Sequence, residues 1–170
     1  MNDGQPEIRL ELYVRSLVPR GGCEHQEAVI DRLRGLADDG VVDHFEVTVW
    51  GRGIGPAATA TATGRELQDL VEAFSEWASD HGMTLRPRFE PRPVRSRLTG
   101  EEYDAVYFPA MALAAFRGED LSFVAPCADG TTTYTVRDVL EAFETTAGDG
   151  QERVDPEHLT VEGSARTVQE

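Results

Sequence analysis

A chain of 170 residues with 40% hydrophobic residues has the size and apolar content of one compact core, so a single domain is expected rather than two. Thirty-one acids face sixteen basic residues for a net charge of −15, and every basic residue is arginine. Molar salt screens charges beyond ~3 Å, so such a surface keeps a protein hydrated at little cost in self-repulsion; the composition therefore predicts a halophilic protein of a salt-saturated cytoplasm. No apolar run has the length or flanks of a membrane span or a signal segment, so no membrane partner is expected.

Residues 8–14 alternate, with Ile8, Leu10, Leu12 and Val14 on one side, and predict a strand. After the turn residues Pro19, Gly21 and Gly22, the helical recurrence of Val29, Ile30, Leu33 and Leu36 predicts a helix over about 24–38, stopped by Asp38-Asp39-Gly40. Phe45, Val47 and Val49 predict a second strand over 43–50. The segment 51–64 reads as a Gly/Ala/Thr loop. Its Gly51-Arg52-Gly53-Ile54-Gly55-Pro56 start fails the phosphate-binding fingerprint, because the third glycine comes one place early, Pro56 replaces it, and the helix begins several residues later. A second amphipathic helix runs from Arg65 through Leu67, Leu70, Val71, Phe74 and Trp77 to His81-Gly82.

The arginine- and proline-rich stretch 83–97 predicts an edge strand, since Pro87, Pro91 and Pro93 bar it from the middle of a sheet. A hairpin follows, with an apolar strand over 106–116, a turn at Arg117-Gly118-Glu119-Asp120, and a strand over 121–125. Thr135 is the expected N-cap of a last helix carrying Val136, Val139, Leu140 and Phe143. The domain is thus expected over 1–145, with a polar, disordered tail over 146–170.

The order β-α-β-α-β-β-α over residues 7–144, with Pro109 opening the apolar strand Phe108-Pro109-Ala110-Met111-Ala112-Leu113 and Cys23 just ahead of the first helix, resembles the thioredoxin fold. The resemblance implies an α/β domain with a mixed sheet plus one inserted edge strand, a cis-proline at Pro109 and a reactive-thiol position at Cys23. The motif is incomplete: in Cys23-Glu24-His25-Gln26 the second cysteine position is glutamine, so dithiol chemistry is excluded there. The runs Leu12-Tyr13-Val14-Arg15-Ser16, Gln26 to Leu33 and Val47-Thr48-Val49-Trp50-Gly51 are also similar to a group of small haloarchaeal proteins labelled as helix-turn-helix domains, which implies association with DNA. A helix-turn-helix unit joins its helices by a turn of ~3–4 residues, whereas the predicted helices here are separated by a strand and a long loop.

Two cysteines, Cys23 and Cys127, and four scattered histidines give neither a disulfide framework nor metal-ligand spacing, so no metal or cofactor is expected. Cys23 is the catalytic candidate, weighed against a small residue in a glycine-rich turn: a helix start favours thiolate, while Glu24 and Glu27 oppose it. Arg86, Arg88, Phe89, Arg92, Arg95 and Arg97 form a candidate binding segment, weighed against an edge strand protected by charge. The expected function is non-catalytic, acting through a protein partner or self-association. The alternatives are a monothiol redox protein using Cys23 and a DNA-associated regulator.

Overall fold

The computed structural model describes residues 4, 6–17, 23–85, 89–148, 161 and 164–165. Its centre is a four-stranded mixed sheet. The alternating run of the N-terminal segment forms β1 (Ile8–Val14), which pairs in parallel with β2 (His44–Val49) and antiparallel with β6 (Met111–Arg117); β7 (Asp120–Ala125) closes the order β2-β1-β6-β7. The apolar hairpin and the parallel pair thus share one sheet, as the element order predicts.

Helix α1 (Glu24–Asp38) returns the chain from β1 to β2. It ends where Gly40, at φ 72°, takes the left-handed conformation; the N–H groups of Gly40 and Val41 then donate to the carbonyls of Ala37 and Leu36. Helix α2 (Ala62–Asp80) ends in the same way at Gly82 and Met83, whose N–H groups reach Ser79 and Ala78. The expected cap of α3 (Val136–Gly148) is present: Thr135 Oγ1 accepts from Asp138 N–H at 3.3 Å, and Asp138 Oδ2 accepts from Thr135 N–H at 2.7 Å.

The sheet is covered on both faces. Ile8, Leu10, Leu12 and Val14 of β1, with Leu113 and Ala115 of β6, bury against Val29, Leu33 and Leu36 of α1 and Val139, Leu140 and Phe143 of α3. Arg32 and Glu144 clasp the two helices with bonds of 2.8 and 2.7 Å. On the opposite face, Tyr13, Ala112, Ala114 and Val124 pack on Val71, Phe74 and Trp77 of α2. Burial of one such aliphatic or aromatic side chain contributes ~1.5–3 kcal/mol, so the two layers supply most of the drive to this arrangement.

The sequence expectation fails in the middle of the chain. The predicted edge strand does not border the main sheet: β4 (Pro91–Arg95) pairs with β5 (Glu102–Tyr107), which pairs with β3 (Gly53–Ile54), in a separate sheet of order β3-β5-β4. The apolar run predicted over 106–116 is two strands, because the chain bends at Phe108-Pro109-Ala110 to pass from one sheet to the other. The supposed glycine loop contains β3 and a 3-10 helix (Pro56–Ala60) packed on α2.

A third small sheet joins β8 (Cys127–Asp129), β9 (Thr132–Tyr134) and β10 (Ser164–Ala165) in the order β10-β9-β8. Most of the expected 146–170 tail lies outside the described residues; within them α3 runs on to Gly148, and β10 pairs with β9.

Candidate functional site

The ribbon β4–β5 carries what the described residues show of the arginine segment. Directly opposed residues of an antiparallel pair share a face. Arg92, opposite Ala105, and Val94, opposite Tyr103, therefore lie on one face together with Tyr107, while Arg95, opposite Glu102, and Pro93, opposite Asp104, lie on the other. Tyr103 and Tyr107 are 38% and 44% exposed, so the first face is an open aromatic surface, with Val94 and Ala105 half-buried on the same face. On the second face arginine is matched by acid. At the tip Leu98 is 98% exposed, Ser96 Oγ caps the turn by accepting from Thr99 N–H at 3.1 Å, and Arg95 Nε donates to the Gly100 carbonyl at 3.3 Å.

The six segment candidates thus part company. Arg92 sits beside the tyrosines, Arg95 on the acid-bearing face, and Arg97 in the exposed tip; Arg86 and Arg88 lie outside the described residues. Phe89 is not a surface residue: 6% exposed, it packs edge-on to Trp50 and Phe74 at 5.5 and 6.0 Å and lies 6.2 Å from Phe108. Its φ of 59° is the strained left-handed conformation for a bulky residue, and it turns the ring inward as the chain enters β4.

Cys23 is half-buried at the N-cap of α1, where its carbonyl accepts from Glu27 N–H at 3.2 Å and its side chain makes no capping bond. Gln26, at the missing second-thiol position, is buried and donates to the Ser16 carbonyl at 3.1 Å, fixing the exit of β1. Pro109 is buried at the bend between β5 and β6, and the cis peptide bond expected there lies instead at Ala125–Pro126.

A cleft of about 660 Å³, which sequence reading missed, opens beside Pro109. Arg15, following β1, forms one wall and is held by two bonds from its guanidinium to the Phe108 carbonyl. His25 comes from the start of α1 and Arg137 from the start of α3, while Pro109, Met111, Ala128 and Val136 line it with apolar surface. Cys127 also lines it and is only 3% exposed; burial first, and then the charge of Asp129, push its thiol up to about 12, so it is protonated near neutrality and is no nucleophile there. These residues come from distant parts of the chain, and no spacing in the sequence signals that they meet.

The fold and these surfaces define a mixed α/β protein with helices on both faces of its main sheet. The chain belongs to a family described as a helix-turn-helix domain, whose model matches residues 2–148. No curated protein and no solved structure matches the chain. Among the described residues, α1 and α2 are separated by residues 39–61, which hold β2, β3 and the 3-10 helix, so these two helices do not form a short-turn pair. No helix among the described residues is long and apolar enough to cross a membrane.

Proposed function

We infer that the chain is a non-catalytic regulatory protein of a salt-rich cytoplasm, built on a thioredoxin-like scaffold and acting by protein contact through the tyrosine-bearing face of the β4–β5 ribbon. The sheet order β2-β1-β6-β7, parallel then antiparallel, with α1 and α3 on one face and α2 on the other, supports the scaffold. The single observation that carries the reading is the open surface formed by Tyr103, Tyr107, Val94 and Arg92. Tyrosine and arginine are the side chains enriched in the cores of protein interfaces, and aromatic contact survives the molar salt that weakens ion pairs.

The partner we favour is a second copy. Apart from Arg92 the tyrosine-bearing face presents no charged residue of the ribbon, so a two-fold axis across it can lay Tyr103, Tyr107 and Val94 of one copy on the same residues of the other without placing like charges together across a wide front. Size-exclusion chromatography with light scattering in molar KCl tests this. The expected result is a dimer that a Tyr103→Ser, Tyr107→Ser variant converts to monomer with its circular dichroism unchanged. A wild-type monomer at every concentration contradicts the self-association.

A DNA-associated regulator is the second reading, and the family membership favours it. The charge distribution opposes a recognition helix, since α1, α2 and α3 each hold more acids than arginines and a phosphate backbone repels such faces. A gel shift with genomic fragments in molar KCl discriminates: a specific, competitor-resistant shift replaces the first reading with the second.

A further inference from the structure

In a protein of net charge −15, the cleft beside Pro109 is lined among the described residues by Arg15, Arg137 and His25 and by no carboxylate. Cationic side chains from the residue after β1 and from the starts of α1 and α3 meet an apolar floor there, and the acids beside them, Asp129 near Cys127 and Glu141 on Arg137, are not part of the lining. Each arginine keeps donors to spare. Arg15 gives Nε and Nη2 to the Phe108 carbonyl, and Arg137 gives Nε to Glu141 at 2.9 Å, which leaves Nη1 of the first and both terminal nitrogens of the second without a partner among the described residues. The starts of α1 and α3 stand at the same opening and add their positive dipole ends.

The floor sets the other half of the ligand. Leu85, Pro109, Ala110, Met111, Ala128 and Val136 offer apolar surface in a cleft of about 660 Å³, within the usual range for small organic ligands. An inorganic anion would leave that surface wet, and in molar salt its attraction to exposed guanidinium groups would compete with chloride. We propose that this cleft binds a small amphipathic organic anion, with a carboxylate or phosphate ester held between Arg15 and Arg137 and an apolar body on the Pro109–Met111 and Ala128–Val136 walls. The site is distinct from the ribbon, so it stands whether or not the chain self-associates.

Titration of the full chain in 1 M KCl, followed by calorimetry and by ¹H–¹⁵N spectra, tests the assignment with four probes: 2-naphthoate, 2-naphthyl phosphate, the neutral 2-naphthalenemethanol and inorganic phosphate. The expected result is saturable binding of at least one of the two naphthyl anions, with shifts at Ala110, Met111, Ala128 and Val136. The tighter anion identifies the head group, and the neutral alcohol and inorganic phosphate should each bind at least ~10-fold more weakly, the scale of one lost charge-assisted hydrogen bond. Arg137→Gln, at an exposed position, should weaken the anion ~10-fold while leaving the melting curve in place; Arg15→Gln should do the same, with its fold checked because Arg15 also braces Phe108. Equal affinity for alcohol and anions, shifts confined to other surfaces, indifference to Arg137→Gln, or no binding by either naphthyl anion overturns the proposal.

Discussion

Replacing Phe89 by alanine separates a core role from a surface role for this residue. Its ring meets Trp50, Phe74 and Phe108 with centroids 5.5–6.2 Å apart, and Trp50 and Phe108 are themselves stacked at 4.4 Å. These partners are anchored on the β2 exit, α2 and the β5–β6 bend, so the space left by the ring cannot close by a local shift. Truncation of a buried phenylalanine costs ~3–5 kcal/mol, and the upper half of that range is expected where collapse is blocked. For a chain of this length each kcal/mol lowers the melting temperature by about 2–4 °C, so Phe89→Ala should melt roughly 10 °C or more below wild type. The assay is thermal or urea unfolding in molar KCl followed by tryptophan fluorescence, with Arg97→Ser in the exposed tip as the surface control expected to stay within ~0.5 kcal/mol. A Phe89→Ala variant as stable as that control would refute the placement of the ring in the core and return it to the binding segment.

Gly64→Ala should destabilise by about 1–3 kcal/mol in the same unfolding assay, because a Cβ there lies 1.9 Å from the Ala58 carbonyl oxygen of the 3-10 helix. Cys127 should resist iodoacetamide in the native chain at pH 8 and react fully in denaturant, as read by mass spectrometry, because its thiol is buried and pushed up to about 12. Cys127 and Tyr13 both hold their protons more tightly when folded, mainly through burial, so their contribution is complete below about pH 9 and is lost as pH rises toward 12; Cys127→Ala should flatten the alkaline fall in the urea midpoint measured from pH 8 to 11. The Arg32–Glu144 clasp, partly exposed, should give a coupling of ~0.5 kcal/mol in a double-mutant cycle at low salt and less in molar KCl.

The elements with a single strong period were legible from residues alone. The alternation through Ile8 to Val14 and the helical spacing of Val29, Leu33 and Leu36 mark β1 and α1 at their observed bounds, because each buries one continuous stripe. The ribbon was hidden for the opposite reason. Strand β5 is exposed along most of its length, so its sequence Glu102-Tyr-Asp-Ala-Val-Tyr107 lacks an apolar stripe, and its last residues merge with the apolar run of β6 until Pro109 bends the chain between sheets. Proline correctly marked β4 as an edge, yet it says nothing of which sheet the edge belongs to. Phe89 reads in sequence as one aromatic among arginines, and only its left-handed backbone turns it inward. Arg15, His25 and Arg137 meet through tertiary placement that no local pattern encodes.

Hydrogen exchange of the intact chain in molar KCl, at protein concentrations spanning the micromolar to near-millimolar range, tests the proposed contact surface directly. Concentration-dependent protection should appear at residues 92–94 and 103–107 and leave the rest of the chain unchanged. Protection that never depends on concentration, or that arises on α1 or α2 only when DNA is added, would contradict the assignment of that face.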